Sequence, residues 1–349
     1  MAKLAYENVS IVGMSAAVPK TIDRVEDIYK WENVEQFVEA TGIKEHRRVG
    51  ADTTTADLCI SAADQLLKDL EWSREEVECL VFVTQTPDYY LPATSCVIQE
   101  KLGLPLSCYT LDISLGCSGW VYALSVMAAL MQNGSMKKGL LLAGETPTKI
   151  CSPDDKSTYP LFGDAGTATA LEFNEGTPGF KFLMNSDGKG YDTIIVREGC
   201  FRFPTSENSL KPVEIEEGIV RNKLQLELDG LNVFSFGITK VPKSVKNLGS
   251  EFDIALEEVD LFTFHQANMK MNEMIRKKLK LPPEKVPYSI EEFGNTSSAS
   301  IPLTLVTREA GKLRSEKLKH IASGFGVGLS WGTVFFETDK IVVPNLIEV

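Results

Sequence analysis

The residue best placed for covalent chemistry is Cys117. It lies in the segment LDISLGCSGWVYALSVMAALM, where a strand-like run ends at Ser114 and an apolar, helix-like run follows. Gly116 allows a tight turn between them, and Gly119 allows close backbone approach. The pattern predicts a cysteine at the N-terminus of a buried helix. There the helix dipole and free N–H groups favour a thiolate and can stabilise an oxyanion. The alternative is a structural buried cysteine.

Of the three histidines, His265 has the position most suited to catalysis. It ends the apolar run VDLFTF and precedes an amphipathic helix. It is therefore predicted at the carboxyl end of a strand, where α/β proteins bind ligands. His46 lies in the charged segment KEHRR, which predicts exposure, and His320 begins an apolar strand. A satisfied core histidine is the alternative for His265. No two histidines have metal-site spacing, so we predict no metal site.

Asn295 is the third candidate, because it precedes a helix-like run in EEFGNTSSASIPLTLV. An asparagine there often caps a helix, which is the alternative interpretation. Two glycine-rich segments lie elsewhere, GFGVGLSWG at 324–332 and FGDAGTA at 162–168. Neither is followed by a helix with Lys-Ser/Thr, so neither predicts a phosphate-binding loop. The segment at 324–332 is predicted to bring backbone N–H groups close to the pocket.

The elements that position these residues occur twice. Three pairs of segments match at an offset of about 180 residues: EEVECLVFVT at 75–84 with EEVDLFTFHQ at 257–266, LGCS at 115–118 with FGNT at 293–296, and KKGLLLAGE at 137–145 with KLKHIASGFGVGLSWG at 317–332. The repeat places Asn295 where Cys117 stands in the first half. We therefore expect the two helix starts to face one pocket, with His265 nearby.

Strands that alternate with helices in both halves predict an α/β protein with five layers, αβαβα. The boundary is expected near residue 175. Residues 1–175 would form the half that carries the cysteine, and residues 176–349 the half that carries the histidine and the asparagine. Residues 198–225 are polar and poorly periodic. They are predicted to be a lid near the site entrance or a surface loop.

Composition excludes several classes of protein. The chain has 349 residues, 43% of them hydrophobic, and a net charge of −12 with a pI of about 5.0. A globular core is expected, and a nucleic-acid or membrane-surface role is not, since both need a positive face. Local basic clusters remain candidates for a patch or for solvated surface: Lys137 with Lys138, Lys277 with Lys278, and Lys44 with Arg47 and Arg48.

The cysteines and the N-terminal segment indicate a cytoplasmic protein. Seven cysteines are present, an odd number, and no C-x-x-C pair occurs, which argues against a disulfide scaffold and a zinc ribbon. The N-terminal segment MAKLAYENVSIVGMS has no signal-peptide pattern. No stretch approaches the roughly 18 apolar residues of a membrane span.

Five motifs in this order resemble the β-ketoacyl-acyl-carrier-protein synthase III family of the thiolase fold: DISLGCSG, FGDAGTA, FHQAN, FGNTSSASIP and GFGVGLSWG. The likeness extends from SIVGMSAAVPK and ATGIKEHRR to the C-terminal strand. It implies that Cys117 takes the acyl group from a thioester. His265 and Asn295 would then stabilise the enolate left when a malonyl thioester loses CO₂, and the enolate would attack the acyl-cysteine.

The resemblance also implies an oxyanion hole, a partner and a quaternary structure. The hole would use the N–H of Cys117 and one from Gly326 or Val327. Acyl carrier protein would bind the segment Gln266, Ala267, Asn268, Met269 and Lys270. No cofactor is implied; the substrates are an acyl-CoA or acyl carrier protein and a malonyl carrier protein. A homodimer is implied, and its surface is expected at residues 80–98 and the helix after Cys117, unless these are core alone.

The sequence departs from the family where coenzyme A binds. The adenine-stacking Trp aligns with Gln36, a nearby Arg with Ala40, a second Arg with Lys156, and an Asn with Leu231. These replacements weaken a coenzyme A site. The aromatic ring inserted into the partner's acyl tunnel aligns with Leu91, which favours a longer acyl chain. Phe162, from the FGDAGTA loop, is assigned to the same acyl-tunnel and coenzyme A region.

Two other functions remain open. One is an acyltransferase of the same fold that passes the acyl group to a hydroxyl or an amine. Asn295 argues against it, since a carboxylate would suit alcohol activation. The other is a non-catalytic partner that binds acyl chains, although such proteins usually lose the nucleophile.

Overall fold

The computed structural model describes residues 1–28 and 34–349. The strands are β1 (Ala2–Tyr6), β2 (Val9–Val18), β3 (Ile22–Arg24), β4 (Glu45–Arg47), β5 (Cys79–Val83), β6 (Tyr109–Ile113), β7 (Lys138–Glu145), β8 (Ala165–Phe173), β9 (Phe180–Ser186), β10 (Ile194–Ile195), β11 (Val213–Glu216), β12 (Ile219–Arg221), β13 (Glu227–Leu228), β14 (Leu261–Phe264), β15 (Lys317–Gly326), β16 (Ser330–Asp339) and β17 (Ile347–Glu348). The α-helices are α1 (Val25–Ile28), α2 (Val34–Thr41), α3 (Thr55–Asp69), α4 (Thr94–Leu102), α5 (Gly119–Met131), α6 (Gly230–Glu251), α7 (Met269–Leu279), α8 (Ile290–Phe293), α9 (Ser300–Arg308) and α10 (Ala310–Ser315).

Two mixed sheets organise the chain. The first has the strand order β17-β2-β8-β7-β5-β6, and the second has the order β1-β9-β16-β15-β14. In the first, β5 is parallel to β7 and β7 is antiparallel to β8; in the second, β14 is parallel to β15 and β15 is antiparallel to β16. The segments that matched in sequence therefore occupy equivalent places in the two sheets.

Helices complete five layers. The hydrophobic core between the sheets takes in α5 and α9, for example Trp120 and Ile301, together with strand residues of both sheets such as Val81 and Phe336. Helix α3 covers the outer face of the first sheet, and α6 and α7 cover the outer face of the second. The sequence of α5, GWVYALSVMAALM, contains no charged residue. It can therefore lie between two sheets, where a half-polar helix could not. The predicted αβαβα architecture is confirmed.

The two halves exchange terminal strands. Strand β1 pairs with β9 in the second sheet, and β17 pairs with β2 in the first. The predicted boundary near residue 175 falls between β8 and β9. The division into residues 1–175 and 176–349 stays a prediction. Among the described residues, no helix is both long and apolar enough to cross a bilayer.

Residues 198–225 include the hairpin β11–β12, which lies on the loop that follows β7. Lys156 donates its N–H to the carbonyl of Gly218 at 3.0 Å, and Val220 donates to the carbonyl of Asp154 at 3.0 Å. The buried carboxylate of Asp155 pairs with Arg221 at 3.0 Å. The hairpin β11–β12 is therefore held against the loop that follows β7.

Candidate active site

Cys117 lies in a tight turn between β6 and α5, as the sequence predicts, and it is buried. The turn requires glycine at position 116, because a Cβ there would lie 2.4 Å from Oε1 of Gln85 and 2.8 Å from Cγ1 of Val327. Gly119 begins the helix and donates its N–H to the carbonyl of Gly116 at 2.6 Å. The glycines therefore let two other loops approach the nucleophile closely.

The sulfur of Cys117 is surrounded by hydrogen-bond donors and by the backbone of a neighbouring loop. A Cβ at Gly326 would lie 2.9 Å from the sulfur, so only glycine fits there. Burial raises the pKa of the Cys117 thiol above its ordinary value. Hydrogen bonds from Ser297, from the backbone of Val327 and from the backbone of Cys117 itself oppose that rise. The sequence predicts a thiolate favoured by the helix N-terminus, but burial outweighs these donors in the resting site.

His265 follows β14 directly and is buried. Its backbone N–H donates to the carbonyl of Ser323 at 2.9 Å, which extends the pairing of β14 with β15 by one residue. Its Nδ1 lies 2.7 Å from Oγ of Ser300, and its ring packs edge-on against Phe325. Burial lowers the pKa of His265 to about 3, so the imidazole is neutral at physiological pH.

Asn295 lies between α8 and α9 and is held from both sides by its backbone. Its N–H donates to the carbonyl of Leu161 at 2.8 Å, and its carbonyl accepts from the N–H of Gly163 at 3.1 Å. Its side-chain Oδ1 accepts the backbone N–H of Ser297 at 2.9 Å. This bond occupies the acceptor of the amide, so its NH₂ group is the part left to donate to a ligand.

One cavity, of about 130 Å³, is lined by Cys117, His265 and Asn295 together. Five further residues from the predicted set line it: Ala267, Asn268, Gly326, Val327 and Phe162. The remaining walls are mainly apolar and include Ile150, Ile194, Leu226 and Leu228. The cavity can therefore hold an acyl group beside a thiol, a neutral imidazole and a carboxamide.

The other predicted residues lie outside the cavity lining. Gln266 is buried, and its amide is engaged by the carbonyl of Phe264 and the N–H of Ser289. Met269 is half-buried and Lys270 is exposed, at the start of α7. Gln36, Ala40, Leu91 and Leu231 are exposed, and Lys156 is half-buried beneath the hairpin β11–β12.

Two expectations about surfaces differ from the structure. Helix α5 and strand β5 lie in the core between and within the sheets, so neither provides a dimer surface; the exposed part of residues 80–98 is the loop after β5 together with Cys96 on α4. His46, expected at the surface, is buried on β4 against the ring of Tyr159, and burial lowers its pKa to about 4. The basic cluster around it is neutralised by three ion pairs, Lys44 with Glu291, Arg47 with Glu348 and Arg48 with Asp23.

The sequence reasoning missed Glu145, a buried carboxyl group that lines the cavity at the end of β7. It accepts hydrogen bonds from the N–H of Gln85 and from the hydroxyl of Thr86, both at 2.9 Å. Burial raises the pKa of Glu145 to about 8, so it is mostly protonated at neutral pH. The sequence contained a signal that could have identified Glu145, because this residue ends an apolar strand in much the same way as His265. Ser297 and Ser300 were missed because the motif FGNTSSASIP holds three serines that nothing in the sequence distinguishes.

No group of three or more His, Cys, Asp or Glu side chains that could hold a metal ion occurs among the residues described. The walls of the cavity carry no lysine or arginine in the part of the chain that the structure covers. The polar groups that a substrate meets are therefore neutral donors and one protonated carboxyl.

Comparisons with known proteins identify the family of the chain. The family models described as 3-oxoacyl-[acyl-carrier-protein] synthase III and as its C-terminal part match residues 111–188 and 250–338. The β-ketoacyl-[acyl-carrier-protein] synthase III of Clostridium acetobutylicum is 31% identical over 95% of this chain and 99% of its own. That of Bacillus pumilus is 31% identical over 94% of this chain and 98% of its own.

Solved structures show the same similarity. A 3-oxoacyl-(acyl-carrier protein) synthase from Burkholderia xenovorans superposes with a TM-score of 0.93 at 38% identity, covering 100% of this chain and 99% of that one. The synthase III of Pseudomonas aeruginosa has a TM-score of 0.82 at 26% identity, covering 96% and 99%. The fold is therefore that of the thiolase-like condensing enzymes. Within that class, the chain belongs to the 3-oxoacyl-[acyl-carrier-protein] synthase III family.

Proposed function

We propose that the protein condenses an acyl thioester with a malonyl thioester and releases CO₂, with Cys117, His265 and Asn295 as catalytic residues. The observation that carries this proposal is that these side chains, from three distant segments, line one cavity. Membership of the synthase III family supports the same reaction.

In the first step, the Cys117 thiolate attacks the acyl thioester and the acyl group moves onto its sulfur. The carbonyl oxygen becomes negative in the tetrahedral intermediate. The backbones of Cys117 and Val327 both lower the pKa of this thiol, so their N–H groups are the donors that we assign to the oxyanion. The donor's C–S bond then breaks, and its sulfur takes the proton that the thiol lost.

In the second step, a malonyl thioester binds beside the acyl-cysteine. Its thioester carbonyl accepts hydrogen bonds from the free ring nitrogen of His265 and from the amide NH₂ of Asn295. Loss of CO₂ leaves an enolate that these donors stabilise. The carbanion attacks the acyl-cysteine, and the 3-oxoacyl thioester leaves Cys117 as a thiolate. A neutral imidazole suits this role, since its low pKa keeps it from titrating across the physiological range.

Acyl carrier protein is the partner that we propose, and the names of the related enzymes include it. Lys270 is exposed at the start of α7, beside the cavity residues Ala267 and Asn268. It offers a positive charge to an acidic carrier. Two exposed residues support an acyl donor bound to a carrier protein rather than to coenzyme A. Gln36 has no aromatic ring to stack on an adenine, and Leu231 has no amide to form a hydrogen bond.

We also propose a homodimer and a cytoplasmic location. The loop after β5 exposes Tyr89, Tyr90 and Leu91, which form an apolar surface suited to a second copy of the chain. All seven cysteines are free, which supports a reducing compartment.

The position of Glu145 in the cavity lining suggests a second candidate function, which is acyl transfer to a hydroxyl or an amine. A carboxylate in the cavity could activate such an acceptor as a general base. Its raised pKa opposes this at neutral pH, since the protonated carboxyl cannot accept a proton.

Release of CO₂ from malonyl carrier protein separates the two functions. Acyl-loaded enzyme should release one CO₂ for each 3-oxoacyl product. Transfer of the acyl group to an alcohol or amine without CO₂ release would contradict the condensing function and support the second.

A further inference from the structure

The buried site must stabilise a thiolate without help from a cation. Burial raises the pKa of Cys117, and the same burial keeps His265 neutral. No lysine or arginine lines the cavity among the described residues. Among the lining residues that the structure describes, the one other ionisable group near the sulfur is Glu145, whose negative form would repel a thiolate. Stabilisation therefore falls to neutral hydrogen-bond donors.

Ser297 contacts all three proposed catalytic residues. Its Oγ lies 3.7 Å from Sγ of Cys117, within reach of a hydrogen bond to sulfur. Its backbone N–H donates to Oδ1 of Asn295 at 2.9 Å, and its backbone also acts on the ring of His265, where it raises the pKa against the effect of burial. The remaining donors to the sulfur are backbone groups of Val327 and Cys117. Ser297 therefore places a hydroxyl within hydrogen-bond reach of the nucleophile.

The backbone of Ser297 holds this geometry in a conformation that L residues rarely adopt. Its φ is 50°, in the left-handed region, although glycine is the residue that fits there without strain. The bond to Asn295 and the burial of the segment hold it there. Glycine would satisfy this backbone better than serine, so the side chain that is present points to a role for the hydroxyl.

We propose that Ser297 is a catalytic residue whose hydroxyl donates a hydrogen bond to the sulfur of Cys117 and stabilises its thiolate. The inference rests on the proposed function only in taking Cys117 as the nucleophile. During acylation the thiolate forms an S–C bond to the acyl carbon, and the donor's C–S bond breaks. The leaving sulfur takes the proton from Cys117, and Ser297 gives up none.

The same bond acts again in condensation. There a C–C bond forms, the S–C bond to Cys117 breaks, and the sulfur leaves as a thiolate. A thioester sulfur is a weaker acceptor than a thiolate. The hydrogen bond therefore strengthens as charge develops on the sulfur, which lowers the barrier to expulsion of the thiolate in condensation and to acylation that starts from the neutral thiol.

The test measures the rate of iodoacetamide alkylation of Cys117 against pH, by mass spectrometry of the Cys117 peptide. Ser297→Ala and Ser297→Gly both remove the hydroxyl, and the glycine also fits the left-handed backbone. Ser298→Ala is the matched control, because the neighbouring hydroxyl donates to the carbonyl of Gly144 instead. We expect the pH at which the alkylation rate reaches half its maximum to rise by about one unit in both Ser297 variants. Alkylation near neutral pH should then be about tenfold slower, and the control should show no shift.

Three results would overturn the proposal. If the pH midpoint of alkylation were unchanged in both Ser297 variants, the hydroxyl would have no role in stabilising the thiolate. A shift in the alanine variant alone would assign the effect to the backbone, and an equal shift in Ser298→Ala would assign it to packing. Alkylation needs no malonyl substrate, so it stands apart from CO₂ release. Wild-type enzyme that fails to release CO₂ would refute the condensing function and leave this profile intact.

Discussion

His265 and Asn295 each have one hydrogen-bonding atom held by the protein and one directed to the ligand. Nδ1 of His265 contacts the hydroxyl of Ser300, and Oδ1 of Asn295 accepts from the backbone of Ser297. Their remaining donors are the Nε2 of the ring and the NH₂ of the amide. Two neutral donors fixed in this way stabilise an enolate without reorganising as its charge develops.

Replacing either residue should separate the two half-reactions. Asn295→Ala or His265→Ala should lower the condensation rate by about 10² to 10³, since each removes one donor to the enolate. Loading of Cys117 should persist, and rapid-quench mass spectrometry measures both rates. Asn174→Ala, in the turn after β8, is the control and should keep both rates. An Asn295→Ala enzyme with intact condensation would show that the assigned role is wrong.

Glu145 should make stability depend on pH. Burial raises its pKa in the folded state from the ordinary value of 4.5 to about 8, so between these values the folded chain holds more protons than the unfolded chain. The free energy of unfolding then falls as pH rises through this window, by about 1 kcal/mol per pH unit from this group.

Glu145→Gln cannot ionise and should lose that contribution. We expect its melting temperature to fall less than that of wild type between about pH 5 and about pH 9. Differential scanning calorimetry measures the difference. Glu175→Gln, at an exposed position, should keep the wild-type slope. If the melting temperatures of wild type and Glu145→Gln changed equally with pH, Glu145 would not be a buried carboxyl with a raised pKa.

At the scale of single residues, the sequence predicted the reactive side chains that lie at the boundary between two secondary-structure elements. Cys117, His265 and Asn295 each stand where a strand or loop meets a helix, and the structure brings them together. Ser297 could not be selected, because its role depends on a positive φ that no sequence pattern shows. His46 was misplaced, because the charges beside it are ion-paired to distant residues.

At the scale of elements, a buried ion pair joins the hairpin β11–β12 to the loop that follows β7, in addition to the two backbone hydrogen bonds. Asp155 is 0% exposed, and its partner Arg221 is the cation that neutralises it. Leu226, just beyond the hairpin, lines the cavity and donates its N–H to Ile150 at 2.8 Å. The position of the hairpin therefore bears directly on one wall of the site.

Arg221→Leu should loosen this hairpin, because it leaves the Asp155 carboxylate buried and unpaired. We expect a loss of roughly 3 kcal/mol in the free energy of unfolding and faster proteolysis within residues 198–225. Arg197→Leu breaks a more exposed pair with Glu227 and should cost less than about 1 kcal/mol. Equal effects of the two variants would contradict the tether.

Element order could be predicted from periodicity, but the placement of elements in layers could not. The repeat located β5, β7, β14 and β15, and the structure gives them matching pairings. Helix α5 is apolar on every side, a pattern that fits a core helix and a dimer surface equally well. Only the packing of both sheets on it decides between them.

At the scale of the whole molecule, the exposed apolar loop after β5 is the surface on which the proposed homodimer rests. Tyr89, Tyr90 and Leu91 are all more than half exposed, and Phe201 packs edge-on against Tyr90. Exposed aromatic and aliphatic side chains that lie together are typical of protein interfaces. The proposed homodimer would cover them, and it would bring Leu91 of one protomer towards its partner.

Leu91→Asp should convert the dimer to a monomer, because it buries a charge in an apolar interface. Analytical ultracentrifugation at micromolar concentration measures the state. Leu231→Asp, equally exposed but on α6 in the other half of the chain, is the control and should remain dimeric. A wild-type monomer, or a dimer that Leu91→Asp leaves intact, would contradict the proposed interface.

The proposed reaction requires that Cys117 carries the acyl group that condenses with the malonyl thioester. Its most direct test is peptide mass spectrometry after incubation with acyl donors from C2 to C10, followed by malonyl carrier protein. The account predicts an acyl mass on the Cys117 peptide that disappears as the 3-oxoacyl product forms in equal amount. An acyl group on any other residue, or one that persists on Cys117 while product accumulates, would contradict it.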